Sequence, residues 1–385
     1  MYPPDHRRWE LDALRGLMLV LMASTHFPTQ LSGPLGQPFG FVSAAEGFVL
    51  LSAYMAGSVY GRKALRDGGD AMRGALLRRA LKVYACQAAL LLFAYTVIAA
   101  IGLLANEQAV LGLLGLYFDR PALALLSSLL LIYSPALLDI LPIYIVLMLL
   151  SPVLLLHGRR RGWGGILALS TLLWLAAQFD AGPAAYELLS RWVAIPVSYG
   201  DMGAFEILGW QFLWVMGLWL GADADAVPQR LPRGLVMAAA LLALAAFVWR
   251  HAVGQTPFPG LPAWAPLFDK WHLGPLRLIN LFALLVLVLH FGPWLKRHLP
   301  RAAALELLGR QSLPVFCAHL VVALLALALF GAADAQRALP LDLLLLVAGY
   351  AALYAVARAF DAADRRAAAR NSGHQPQRLR GQLSG

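Results

Sequence analysis

The chain has 385 residues, 60% of them hydrophobic and 14% charged, with a mean hydropathy of +0.66. Soluble domains carry nearer a quarter charged residues, so this balance excludes an ordinary soluble enzyme and predicts an all-α polytopic membrane protein. The formal charge of +10 points to cytoplasmic loops rich in Lys and Arg rather than to nucleic acid, and no nucleic-acid partner is expected.

The N-terminal Arg7 and Arg8 precede an apolar run, as in a signal peptide. Asp12 and Arg15 inside that run, with no small-residue cleavage site after it, predict a retained first span instead. Windows able to cross a bilayer, or nearly so, fall at 12–28, 41–60, 80–103, 137–156, 163–179, 205–221, 234–250, 274–291, 312–331 and 338–357. With the N-terminus inside, 24 of the 31 Lys and Arg fall in inner segments, and only Arg120, Arg191, Lys270 and Arg337 fall in outer loops. That alternation predicts ten transmembrane helices with both termini cytoplasmic.

Residues 108–133 are apolar but broken at Phe118-Asp119-Arg120-Pro121, and one crossing there would invert every later loop. A short re-entrant or interfacial hairpin on the outer side is predicted. The Pro-, Gly- and aromatic-rich loops 180–204 and 251–273 suit an ordered outer cap. A membrane domain over 1–360 is expected to give way to a basic, disordered cytoplasmic tail over 361–385. Cys86 and Cys317 lie in apolar segments and read as packing residues, so neither a disulfide framework nor a metal site is expected.

The first span carries the most informative polar residues. Arg15 and His26 are eleven residues apart, which separates them by roughly 20° in azimuth and about 16 Å in depth on one helical stripe. Ionisable groups at membrane depth mark a bundle interior or a water-filled path. Topology then sorts the remaining candidates. Near the outer face lie His26, Glu46, Asp139, Tyr144, Trp210, Gln211, Arg277 and Asn280; near the inner face lie Asp12, Arg15, Arg79, Lys82, Tyr84 and the stretch Gly309-Arg310-Gln-Ser312-Leu-Pro314. His319 falls somewhat below mid-membrane. Ser52, Ala53 and Gly57 after Glu46 form a small-residue face for close helix packing.

A carboxylate bonded to one imidazole nitrogen strengthens the other as a general base, and His26 with Glu46 could do this. A basic inner mouth could hold the phosphates of a cytoplasmic acyl-CoA. The same residues also fit a transporter or flippase for a glycan or anionic solute, with a His–Glu proton relay. A transporter would favour inverted repeats, and none is evident. A scaffold subunit of a glucan-exporting complex is a third option, for which the buried polar set has no use.

Arg15 and His26, ten residues between them, resemble the first-helix signature of the acyltransferase-3 superfamily of membrane acyltransferases. Arg79-Ala-Leu-Lys82-Val-Tyr84 resembles the Arg-x-x-Arg-x-Tyr element of that group, with Lys82 in place of its second Arg. More narrowly, Leu11-Asp-Ala-Leu-Arg-Gly16, Ser43-Ala-Ala-Glu-Gly-Phe-Val-Leu-Leu-Ser52, Asp139-Ile-Leu-Pro-Ile-Tyr144, Trp210-Gln-Phe-Leu213, Asp269-Lys-Trp-His-Leu-Gly-Pro-Leu-Arg277-Leu-Ile-Asn280 and Gly309-Arg-Gln-Ser-Leu-Pro-Val-Phe-Cys-Ala-His319 resemble the OpgC branch, in collinear order from about 8 to 330. The resemblance implies O-succinylation of osmoregulated periplasmic glucans from succinyl-CoA in the bacterial inner membrane. Acyl-CoA would be the donor substrate, with no permanently bound cofactor and with a homodimer left open. On this reading His26, Glu46 and Arg15 are the catalytic candidates. Arg79, Lys82, Tyr84, Arg310, Ser312 and His319 are assigned to the CoA donor. Asp139, Tyr144, Trp210, Gln211, Arg277 and Asn280 are assigned to the transferred group and acceptor, with Arg277, less so Arg15, facing the donor's free carboxylate.

Overall fold

The structure, a computed structural model, describes residues 8–193, 195–223, 231–255, 258, 260–334 and 336–380, leaving aside the side chains of Pro262 and of residues 371–380. Every regular element among them is helical. In chain order these are α1 (Trp9–His26), α2 (Ser32–Gly36), α3 (Ala44–Arg66), α4 (Gly69–Phe93), α5 (Ala99–Ala105), α6 (Gln108–Leu113), α7 (Gly115–Asp119), α8 (Pro121–Leu129), α9 (Ile140–Arg161), α10 (Gly164–Ala177), α11 (Ala181–Val193), α12 (Ile207–Ala222), α13 (Arg233–Val253), α14 (Pro275–His298), α15 (Ala303–Arg310), α16 (Ser312–Phe330) and α17 (Leu339–Arg380). A π-helical turn at Ala94–Ile98 joins α4 to α5 into one continuous element.

Among the described residues, seven helices are long and apolar enough to cross a membrane: Gly69–Ala105, Ile140–Arg161, Tyr199–Ala222, Arg233–Val253, Pro275–His298, Ser312–Phe330 and Leu339–Arg370. The predicted span at 163–179 is instead α10, 14 residues long and bent by 84° into α11, so it joins a span count only as a broken pair. Thus α11 occupies what the sequence suggested was loop. The first two predicted spans exist as helices, α1 and α3, but neither is among the seven: α1 carries Glu10, Asp12 and Arg15 in its 18 residues, and α3 dilutes its apolar residues with Glu46 and with Gly, Ser and Tyr. Residues 108–129 form the short helices α6, α7 and α8, none long enough to span. Helix α17 continues past residue 360, where Asp361 and Asp364 accept hydrogen bonds from Arg310 and Gln311.

Exposed aliphatic side chains cover the outside of α13 and α17, including Met237, Leu241, Leu244, Leu344 and Val347. In water so broad an apolar surface would associate; against lipid tails it is at rest. Inside, glycine sets the helix spacing. A Cβ on Gly57 of α3 would strike the Leu218 carbonyl of α12, and one on Gly217 would strike Leu50 in return. Gly16 of α1 and Gly309 of α15 meet the partner backbone in the same way, at Leu305 and Asp12. The small-residue face predicted after Glu46 is therefore a packing seam, since small residues let backbones approach closely.

Candidate active site

Two contacts fix α1 against α16. The Arg15 guanidinium donates to the Ser312 hydroxyl at 2.6 Å, and His26 Nδ1 lies 2.9 Å from His319 Nε2. The first pair is eleven residues from the second on α1 and seven on α16, so the two helices run in the same direction. The single stripe predicted for Arg15 and His26 is the stripe that faces α16. His319, expected below mid-membrane among the donor-binding residues, instead shares the level of His26. The imidazoles are stacked, with centroids 5.2 Å apart, and the edge of Phe316 meets His319. His319 is wholly buried.

The expected pairing of His26 with Glu46 is not formed. Local sequence explains the loss: Ser43-Ala-Ala-Glu46 is a capping box, so one carboxylate oxygen is drawn back to the Ser43 amide (3.1 Å) and hydroxyl. The other oxygen receives the Arg277 guanidinium at 2.5 Å. Arg277 also donates to the Phe268 carbonyl at 3.0 Å, and Asn280, one turn on, accepts from the Phe41 amide at 2.9 Å. Arg277 and Asn280 thus clamp the segments before α3 and α14. Arg277 is committed to Glu46 rather than presented to a substrate carboxylate.

Several other candidates serve the scaffold. Gln211 bonds the Ser170 side chain and backbone and the Leu208 carbonyl. The Trp210 indole donates to the Trp271 carbonyl (2.9 Å), Asp139 accepts from the Ala204 amide (3.0 Å), and Arg310 pairs with Asp361 (2.7 Å). The Tyr84 hydroxyl donates to the Leu129 carbonyl (2.8 Å), and Lys82 points outward, exposed. Buried polar groups take the partners that satisfy them, and here most are backbone.

Two small clefts open between these helices. One is walled by Arg15, Arg79, Phe48, Val83, Tyr144, Ser312 and Phe316. The second is walled by Tyr144, Phe205, Trp210 and Trp214 with aliphatic neighbours. Tyr144 belongs to both. Arg15 and Arg79 give the first cleft its charge, while the second is aromatic and apolar. The sequence did not single out Phe48, Phe205 or Phe316, because aromatic residues in apolar helices carry no pattern that separates a cleft wall from a core.

Lys270 is also newly placed. It is half-buried, its ammonium over the Trp271 ring (4.6 Å to the centroid) and the Phe205 ring (5.7 Å). Burial pulls its pKa below the ordinary lysine value and Arg277 pushes the same way, while Glu46 and Asp139 oppose them.

Seven apolar spans around a buried cluster of His, Arg and Glu define a polytopic membrane protein with an internal polar site. A family model described as OpgC protein matches residues 7–365, and the chain belongs to that family. It is accordingly an OpgC-like, glucan-modifying membrane protein of the transferase kind. No curated protein and no solved structure matches the chain.

Proposed function

We propose that the protein is a membrane O-acyltransferase moving an acyl group, succinyl by preference, from cytoplasmic acyl-CoA to a hydroxyl of a periplasmic glucan. The observation that carries this reading is the pairing of Arg15 with Ser312 and of His26 with His319 along one helix pair, beside a cleft walled by Arg15 and Arg79. Family membership supplies the glucan. We place the protein in the bacterial inner membrane with ten crossings, counting α1, α3 and the bent α10–α11 pair with the seven apolar helices. The predicted charge alternation supports both termini lying inside.

Arg15 and Arg79 neutralise phosphate of the donor, and the pantetheine arm runs along the clefts past Tyr144. His319 takes the orienting role first expected of Glu46. With its Nε2 as acceptor, His26 carries its proton on Nδ1 and keeps a lone pair on Nε2. The sugar hydroxyl loses its proton to that nitrogen as its oxygen attacks the thioester carbonyl. The carbon–sulfur bond then breaks, and the imidazolium returns the proton to the departing thiolate. An acyl-imidazole relay is the variant in which Nε2 attacks first.

Purified protein given labelled acyl-CoA should release free CoA only when glucan is present. In that assay Arg79→Gln should raise KM for the donor about tenfold, as loss of a charged phosphate contact does, whereas Lys82→Gln should leave it unchanged. CoA release indifferent to glucan, or label moved without cleavage, would reject acyl transfer; equal effects of the two substitutions would reject the donor path.

A further inference from the structure

We propose that Lys270 is the residue that receives the free carboxylate of a dicarboxylic acyl group, and so sets the choice of donor. This inference rests on the acyl-transfer reading above. Arg277, the obvious receptor by sequence, has its guanidinium engaged by Glu46 and by the Phe268 carbonyl. Among the described residues Lys270 makes no ion pair with either nearby carboxylate, Glu46 or Asp139, although its charge acts on both, on Arg277 and on the His26 imidazole. Of these, Glu46 is paired with Arg277, and Asp139 is held by the Ala204 amide. The ammonium rests instead on the faces of Trp271 and Phe205, which stabilise a cation without supplying an anion.

Its backbone is fixed from three directions. The Trp271 carbonyl accepts from both the Trp210 indole and the Glu206 amide, Arg277 holds Phe268, and the Asp269 carboxylate accepts from the His272 amide and ring. Phe205, beneath the ammonium, is also a wall of the aromatic cleft, and so is Trp210. A held, half-buried ammonium with no counter-ion among the described residues, at the rim of an apolar cleft and within electrostatic reach of His26, suits an anion delivered with the substrate. An acyl chain whose thioester lies at His26 carries its second carboxylate two methylenes further on, away from the Arg15 mouth. A neutral acyl group of equal length would fill the same cleft and leave Lys270 unpaired, which is how a buried polar group discriminates.

The test compares succinyl-CoA with butyryl-CoA, on the full-length purified protein with one glucan acceptor. In Lys270→Met the ratio of kcat/KM for succinyl-CoA over butyryl-CoA should fall about 10- to 100-fold, the size of a lost charged hydrogen bond. Lys270→Arg should restore most of the ratio, which a merely structural role would not require. An unchanged ratio in Lys270→Met, or an equal fall with both donors reproduced by Asp139→Asn, would overturn the proposal while leaving acyl transfer standing. Wild-type protein that turns over neither donor would instead remove the acyl-transfer reading, and this inference with it. The thermal midpoint of each variant separates lost selectivity from lost folding.

Discussion

Replacing His26 with alanine is expected to lower kcat/KM by about two to four orders of magnitude with either donor, the range a positioned general base contributes. The thermal midpoint should fall only moderately, by the cost of leaving the wholly buried His319 ring without its partner, about 1–3 kcal/mol. The companion is more informative. His319→Ala removes the group that holds the tautomer, and activity should fall roughly tenfold or more. His319→Gln, whose amide oxygen can accept from His26 Nδ1, should recover a large part. Wild-type rates in His26→Ala would take the imidazole out of the mechanism. Equal loss in His319→Ala and His319→Gln would make His319 a packing residue.

The second large effect concerns stability. Arg277→Met leaves the Glu46 carboxylate buried without its cation, and breaking such a pair costs about 3–5 kcal/mol. Glu46 is fully buried and Arg277 nearly so, hence solvent offers little relief. Thermal unfolding in detergent should show a large drop in midpoint for Arg277→Met. The double replacement Glu46→Leu with Arg277→Met should drop less, because no charge is stranded, though the capping bonds from Glu46 to Ser43 are lost with it. A midpoint for Arg277→Met close to wild type would show the pair to be dispensable, and would return Arg277 to the substrate role the sequence suggested.

These two cases mark where sequence reasoning reached and where it stopped. The helical class, the broken apolar segment within 108–133 and the common face of Arg15 and His26 are legible in the sequence, because period and composition fix them before any tertiary contact forms. The partners were not. Glu46 was assigned to His26 on shared depth, but depth is one coordinate and hydrogen bonds need three. Two imidazoles in otherwise apolar helices were a usable signal for the true pair, since each needs a partner when buried. Arg277 and Asn280 were recognised as buried polar groups needing satisfaction, yet satisfaction by backbone and a capping carboxylate looks the same in sequence as availability to a ligand.

By itself, then, the order of residues determined an apolar, helical protein suited to a membrane, and a first helix with an imidazole and a guanidinium on one stripe. These follow from local rules: the 3.6-residue turn and the desolvation of charge. Only the tertiary structure decided that His26 meets His319, that Glu46 belongs to Arg277, and that Lys270 rests on the Trp271 and Phe205 rings beside the cleft. Those outcomes depend on which helices approach closely enough to touch. That approach is set jointly by glycine seams such as Gly57 with Gly217 and by loops pinned from distant helices.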